Sequence, residues 1–181
     1  MTIRQRVVIA IALLVTLPAS AAEPGEDPHF DCADAFDLIA LTTTIQCQPP
    51  TAGAPMAKRL SAAAERLVAD GIATRAEVNG LEIRWCDLTS AMGFTPGERQ
   101  IYLDTGLAAG TQDLIAEVLA HEIVHTRQFA RLGEAGFKCA YVKAFVECGA
   151  CQGRGHPLEA EAYELQDRVR DQLHEQWLQA H

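Results

Sequence analysis

Apolar positions come first as an unbroken block and only later at regular spacing. Val7 to Leu17 is a mostly apolar run behind Arg4 and Arg6, and Ala19-Ser20-Ala21 offers the small residues of a cleavage site. That order reads as a secretory signal over residues 1–22, cut after Ala21 or Ala22. The run is too short for a bilayer span, which needs about 20 residues. Residues 23–31 are polar and broken by Pro24 and Pro28, so His29 there reads as a solvated side chain.

Helical spacing starts near Ala33, with Phe36, Ile39 and Ala40 on one side, and Gln48 to Gly53 reads as a linker. Met56, Leu60, Ala63, Leu67 and Val68 then recur at three to four residues, with Pro55 in the first turn and Gly71 at the end. After Asn79-Gly80 the period changes to two: Leu81, Ile83 and Trp85 alternate with Glu82 and Arg84, the pattern of a half-buried strand. A turn at Thr95-Pro96-Gly97-Glu98 separates Met92-Gly93-Phe94 from a short strand, Gln100 to Asp104.

The next helix, about 112–132, carries Leu114, Ile115, Val118, Leu119, Ile123 and Val124, enough for a buried central helix. Thr111 is its expected cap. A Gly- and Cys-rich stretch over 133–156 leads to Pro157 and a last helix, about 157–178. The predicted class is α+β: a mainly helical domain over 56–181, a small antiparallel sheet ahead of its central helix, and a tail and helix over 23–55.

The formal charge of −9 becomes two units more negative once Arg4 and Arg6 are removed. Nucleic acid and anionic membrane would repel such a chain, so neither is an expected partner. All six cysteines follow the signal: Cys32, Cys47, Cys86, Cys139, Cys148 and Cys151. In an oxidising compartment an even set predicts disulfides. A continuous helix over 33–46 would hold Cys32 and Cys47 about 22 Å apart, so they pair only if it breaks near Thr42-Thr43-Thr44.

The chemistry concentrates in His121-Glu122-Ile123-Val124-His125. On a helix, residues four apart share a face, so both imidazoles reach one metal ion and Glu122 lies beside a water that the metal activates. A catalytic zinc normally keeps three protein ligands. Gln128 and Arg131 stand where a longer form of the motif has Gly and His, leaving His156, Glu159 and Glu161 for the third. Glu159 is the first choice, because it shares a face with Tyr163; Glu161, some 200° around the helix, is the second. Gln128, on the ligand side, is a candidate to hold a ligand or loop in place.

Residues 80–167 resemble the metallopeptidase family known as the extracellular contractile injection system core domain. The resemblance rests on Ala91-Met92-Gly93-Phe94 with Arg99-Gln100-Ile101-Tyr102-Leu103, on Leu119 to Gln128, and on Pro157-Leu158-Glu159-Ala160-Glu161-Ala162-Tyr163. It implies a zincin-type fold and a zinc peptidase: His121, His125 and Glu159 as ligands, Glu122 as base. Tyr163 stands where many relatives have Asp, and the cysteine-rich 139–151 segment is an elaboration. The injection-system association does not carry over to so short a chain.

The expected activity is zinc-dependent hydrolysis of a peptide or protein substrate, with Glu122 taking a proton from water and handing it to the leaving amine. Tyr163 or Tyr102 would stabilise the oxyanion, although core packing is the ordinary role of either. By analogy with zincins, Gln100 to Asp104 would be the edge strand that pairs with extended peptide. Rival readings are a non-catalytic exported binding module that keeps the metal site, and two merely buried histidines. Cys148-Gly149-Ala150-Cys151 reads as a structural bridge ahead of a redox pair, and ahead of a structural zinc on Cys139, Cys148, Cys151 and His156.

Overall fold

Leu60, Ala63, Ala64 and Leu67 form the buried stripe of helix α2 (Pro55–Ala69), as their spacing predicts. The computed structural model describes residues 32–39, 45–51, 54–88 and 91–180. The signal segment, the tail with His29, and Ala40 lie outside them. Pro55 opens α2, and Gly71 closes it with φ +69°, a conformation that favours glycine. Helix α1 (Cys32–Ile39) precedes it. The short strand β1 (Cys47–Gln48) occupies the start of the expected linker.

A one-turn helix, α3 (Arg75–Asn79), has no counterpart in the periodicity; a capping box makes it. The Thr74 hydroxyl accepts from the Glu77 N–H, and the Glu77 carboxylate accepts from the Thr74 N–H. The other Glu77 oxygen accepts from Arg127 Nε at 2.8 Å. That guanidinium holds the Glu77 carboxyl well down, at about 2. A folded pKa below the unfolded value of about 4.3 means stability that is present above pH 4.3 and lost as pH falls towards 2. Both side chains are about a third exposed, so solvent screening leaves only about 1 kcal/mol. Glu77→Gln should cost that much in urea unfolding at neutral pH, and the difference should close near pH 2.

Strands β2 (Glu82–Cys86), β3 (Gly93–Gly97) and β4 (Gln100–Asp104) join β1 in the order β1-β2-β4-β3. The sheet is mixed rather than antiparallel throughout, because β4 lies parallel to β2 and antiparallel to β3. Strand β3 follows β2 in the chain but pairs on the far side of β4, a crossover. Asp104 fixes that crossover: its N–H donates to Met92 O, and its carboxylate accepts from the Leu88 and Gly106 N–H groups. Gln100–Asp104 is therefore interior, and Gly93–Gly97 is an edge strand. Pro96 sits where the β3–β4 register shifts, the edge position at which a missing N–H is tolerated.

Helix α4 (Gln112–Leu132) starts at Thr111, whose hydroxyl accepts from the Leu114 N–H. Ile115, Leu119 and Ile123 pack with Trp85, Ile101 and Leu103 of the sheet, with Leu60 and Leu67 of α2, and with Leu165 and Val169 of the last helix. Helix α5 (Glu134–Glu147) occupies much of the Gly- and Cys-rich stretch over 133–156, to which the spacing assigned no element. Gly133, Gly136 and the cysteines imitate loop chemistry, and its apolar residues mark no clear stripe. Gly133, at φ +72°, is the break between α4 and α5. A 3₁₀ turn (Gly153–Gly155) then leads to α6 (Pro157–Ala180).

The six cysteines form three disulfides. Cys32–Cys139 ties α1 to α5, where Phe36, Phe129, Phe137 and Val142 make a second apolar cluster. Cys47–Cys86 joins directly opposed residues of β1 and β2. Cys148–Cys151 closes the end of α5 rather than opening a helix, and Cys139 is already paired, so the sulfur-ligated zinc is overturned. Among the described residues no helix is long and apolar enough to cross a membrane.

Candidate metal centre

His121 and His125 lie one turn apart on the buried face of α4, their Nε2 atoms 3.2 Å from each other. Glu159, in the first turn of α6, presents one oxygen to each ring: Oε2 is 3.2 Å from His121 Nε2 and Oε1 is 3.6 Å from His125 Nε2. One donor atom from each of the three residues lies within 4.8 Å of the other two. Ligands bound tetrahedrally at about 2.0–2.1 Å would be roughly 3.3 Å apart, so the spacing fits a metal ion.

Hydrogen bonds behind the rings give a second test. His125 Nδ1 is 2.9 Å from Gln128 Oε1. The Gln128 amide faces it with oxygen, because its Nε2 donates to Leu158 O and Glu161 Oε2. His121 Nδ1 is 3.1 Å from Gln166 Oε1. Both imidazoles thus spend their Nδ1 hydrogens outward, and each Nε2 turns a lone pair towards the other and towards a carboxylate. Such a meeting calls for positive charge. A proton supplies part of it: burial lowers the His125 pKa, but the Glu159 carboxylate outweighs burial and raises it to about 9. Burial likewise pushes Glu159 up, yet the two imidazoles hold it far below the usual carboxylate range. A divalent cation supplies the charge more fully. The donor set therefore could hold a metal ion.

Glu159 reaches this point because its helix start is fixed. His156 is fully buried: its Nδ1 accepts from the Leu158 N–H, and its Nε2 donates to Tyr141 O. Both ring nitrogens are thereby used, so His156 caps α6 and is not a ligand. Glu161, the second choice, turns away to Gln128 and Arg131.

Glu122 is 3% exposed and lies against the edge strand. The Thr95 hydroxyl donates to its Oε2 at 2.8 Å, and a Cβ added to Gly93 would fall 2.5 Å from its Oε1. Burial raises its carboxyl pKa, against the opposing pull of His125, His121 and the Thr95 hydrogen bond. Tyr163 packs edge-on to His121, with ring centroids 4.7 Å apart, and Arg154 covers its ring. Tyr102 is elsewhere, on β4 beside Phe94.

The tyrosine that hydrogen-bonds to the donor set is Tyr141, whose hydroxyl donates to Glu159 Oε1 at 2.9 Å. It lies in the Gly- and Cys-rich stretch to which the spacing assigned no element, so no pattern pointed to it. Gln166 was findable: it follows Glu159 by seven residues, two turns along the same face. Thr95 and Gly93 depend on the sheet order. No family model, curated protein or solved structure matches the chain.

Proposed function

We propose that this chain is an exported zinc metallopeptidase, with His121, His125 and Glu159 as ligands and Glu122 as general base. The observation that carries the reading is the convergence of two Nε2 lone pairs and a carboxylate, 3.2–3.6 Å apart, beside a buried glutamate. These three residues would hold the zinc, whose chemistry would be to polarise a peptide carbonyl and make water more acidic. Nitrogen and oxygen donors of this kind are those of catalytic zinc sites. The resemblance to the injection system core domain points the same way.

In this reading Gln128 and Gln166 orient the two imidazoles, and Tyr141 orients Glu159. Glu122, its pKa raised by burial, accepts a proton from water and delivers it to the leaving amine. Edge strand Gly93–Gly97 stands beside Glu122, where an extended peptide could pair with it. The signal-like residues 1–22 and the three disulfides support export to the periplasm or outside the cell. Incubation with a peptide library, comparing wild type with Glu122→Gln, tests the activity.

Gly93 gives a sharper test. A methyl group there collides with the Glu122 carboxylate without touching a ligand. Gly93→Ala should lower peptide hydrolysis about 100-fold, the cost of misplacing a catalytic group by about 1 Å, while zinc content stays at the wild-type level. Mass-spectrometric peptide assays and metal analysis check the two halves.

One observation favours a second reading, an exported binding module that keeps the metal site without turnover. Thr95 and Gly93 enclose Glu122 so closely that it is almost sealed from solvent. Equal behaviour of wild type and Glu122→Gln in the library assay, with zinc bound to both, would establish it.

A further inference from the structure

We infer that Glu161 is a positioning residue for His125, acting through the Gln128 amide with Arg131 holding it in place; the inference rests on the metal reading above. A primary amide can offer either end to an imidazole, and the two ends have opposite effects. Its oxygen accepts the Nδ1 hydrogen and leaves the Nε2 lone pair facing Glu159 and His121. Its NH₂ would claim the Nδ1 lone pair and move the ring hydrogen to Nε2, blocking the metal. Gln128 is fully buried, so water does not choose between them.

The choice is made on the far side of the amide. Gln128 Nε2 lies 2.9 Å from Leu158 O and 2.9 Å from Glu161 Oε2, so both its hydrogens have acceptors. Leu158 O alone would secure one hydrogen and tolerate a loose amide. The carboxylate secures the second, and it makes the reversed amide repulsive, because an oxygen would then face two acceptors. Arg131 Nη2 donates to the same Glu161 oxygen at 3.1 Å from the solvent side. The arrangement follows from the helices: His125, Gln128 and Arg131 recur at three residues on α4, and Glu161 follows Glu159 by two on α6. The contact that delivers the third ligand therefore also delivers the clamp.

The test uses the full chain carrying Glu161→Ala or Glu161→Gln, with zinc affinity measured by competition against a chelator. Loss of such outer partners typically costs 10- to 100-fold in metal affinity. Glu161→Ala should bind zinc about tenfold more weakly and shift the visible absorption of the cobalt-substituted protein. Glu161→Gln should recover most of the affinity, since its amide oxygen can still accept from Gln128. Metal-free thermal unfolding of each variant separates this from a surface ion-pair role. Equal zinc affinity in wild type and Glu161→Ala overturns the inference and leaves the metal reading intact. An alanine variant that is weaker only because the metal-free fold is lost, with no recovery in Glu161→Gln, also overturns it. A wild-type chain that takes up no zinc overturns both.

Discussion

Glu122→Gln should abolish measurable peptide hydrolysis, a loss of about 10²–10⁴-fold, while the protein keeps about one zinc per chain. Two jobs fall to different residues. His121, His125 and Glu159 form the donor set, and Glu122 is not part of it. Its carboxylate points to Thr95 and Gly93 of the edge strand, where glutamine fits with the same shape and can keep the Thr95 contact. What glutamine cannot do is accept and return a proton. Metal content and turnover should therefore part company in this variant. Parallel loss of zinc and activity would mean that Glu122 has a structural share in the metal site. Unchanged hydrolysis would remove it from the mechanism.

Breaking the Cys32–Cys139 bridge should cost the most stability. A cross-link stabilises chiefly by restricting the unfolded chain, and more so for longer loops. With sequence separations of 107, 39 and 3, paired Cys→Ser changes should cost about 5, 4 and 1.5 kcal/mol for Cys32–Cys139, Cys47–Cys86 and Cys148–Cys151. Guanidinium unfolding of the three double variants checks the order. The first bridge also bears on the site, because Cys139 is two residues from Tyr141, which holds Glu159. Its loss should weaken zinc binding as well as the fold, whereas loss of Cys148–Cys151 should leave zinc binding near wild type. If all three variants unfold alike, the bridges do not act through loop closure.

Much of this was legible along the chain because local rules act there without competition. The stripe of α2 and the two histidines four apart follow from helical spacing, the Thr111 cap from its residue type, and Glu159 was chosen for the face it shares with Tyr163. Long-range pairing was not legible. Residues 100–104 look like an edge strand until the sheet order places them inside, with Asp104 bonded to Leu88 and Met92 and with Gly93–Gly97 outermost and beside Glu122. Helix α5 was hidden because its burial comes from Phe36 and Phe129, both distant in sequence. Tyr141 went unnoticed with it. His156 stood among the three candidates for the third ligand because composition cannot tell a cap from a donor; its two hydrogen bonds do.

The most direct measurement is the zinc content of the purified chain after zinc loading and exhaustive buffer exchange, in wild type and in the His121→Ala/His125→Ala double variant. About one ion per wild-type chain is expected and essentially none in the double variant, with both proteins folded by circular dichroism. Wild type without zinc, or a double variant that retains it, would contradict the account.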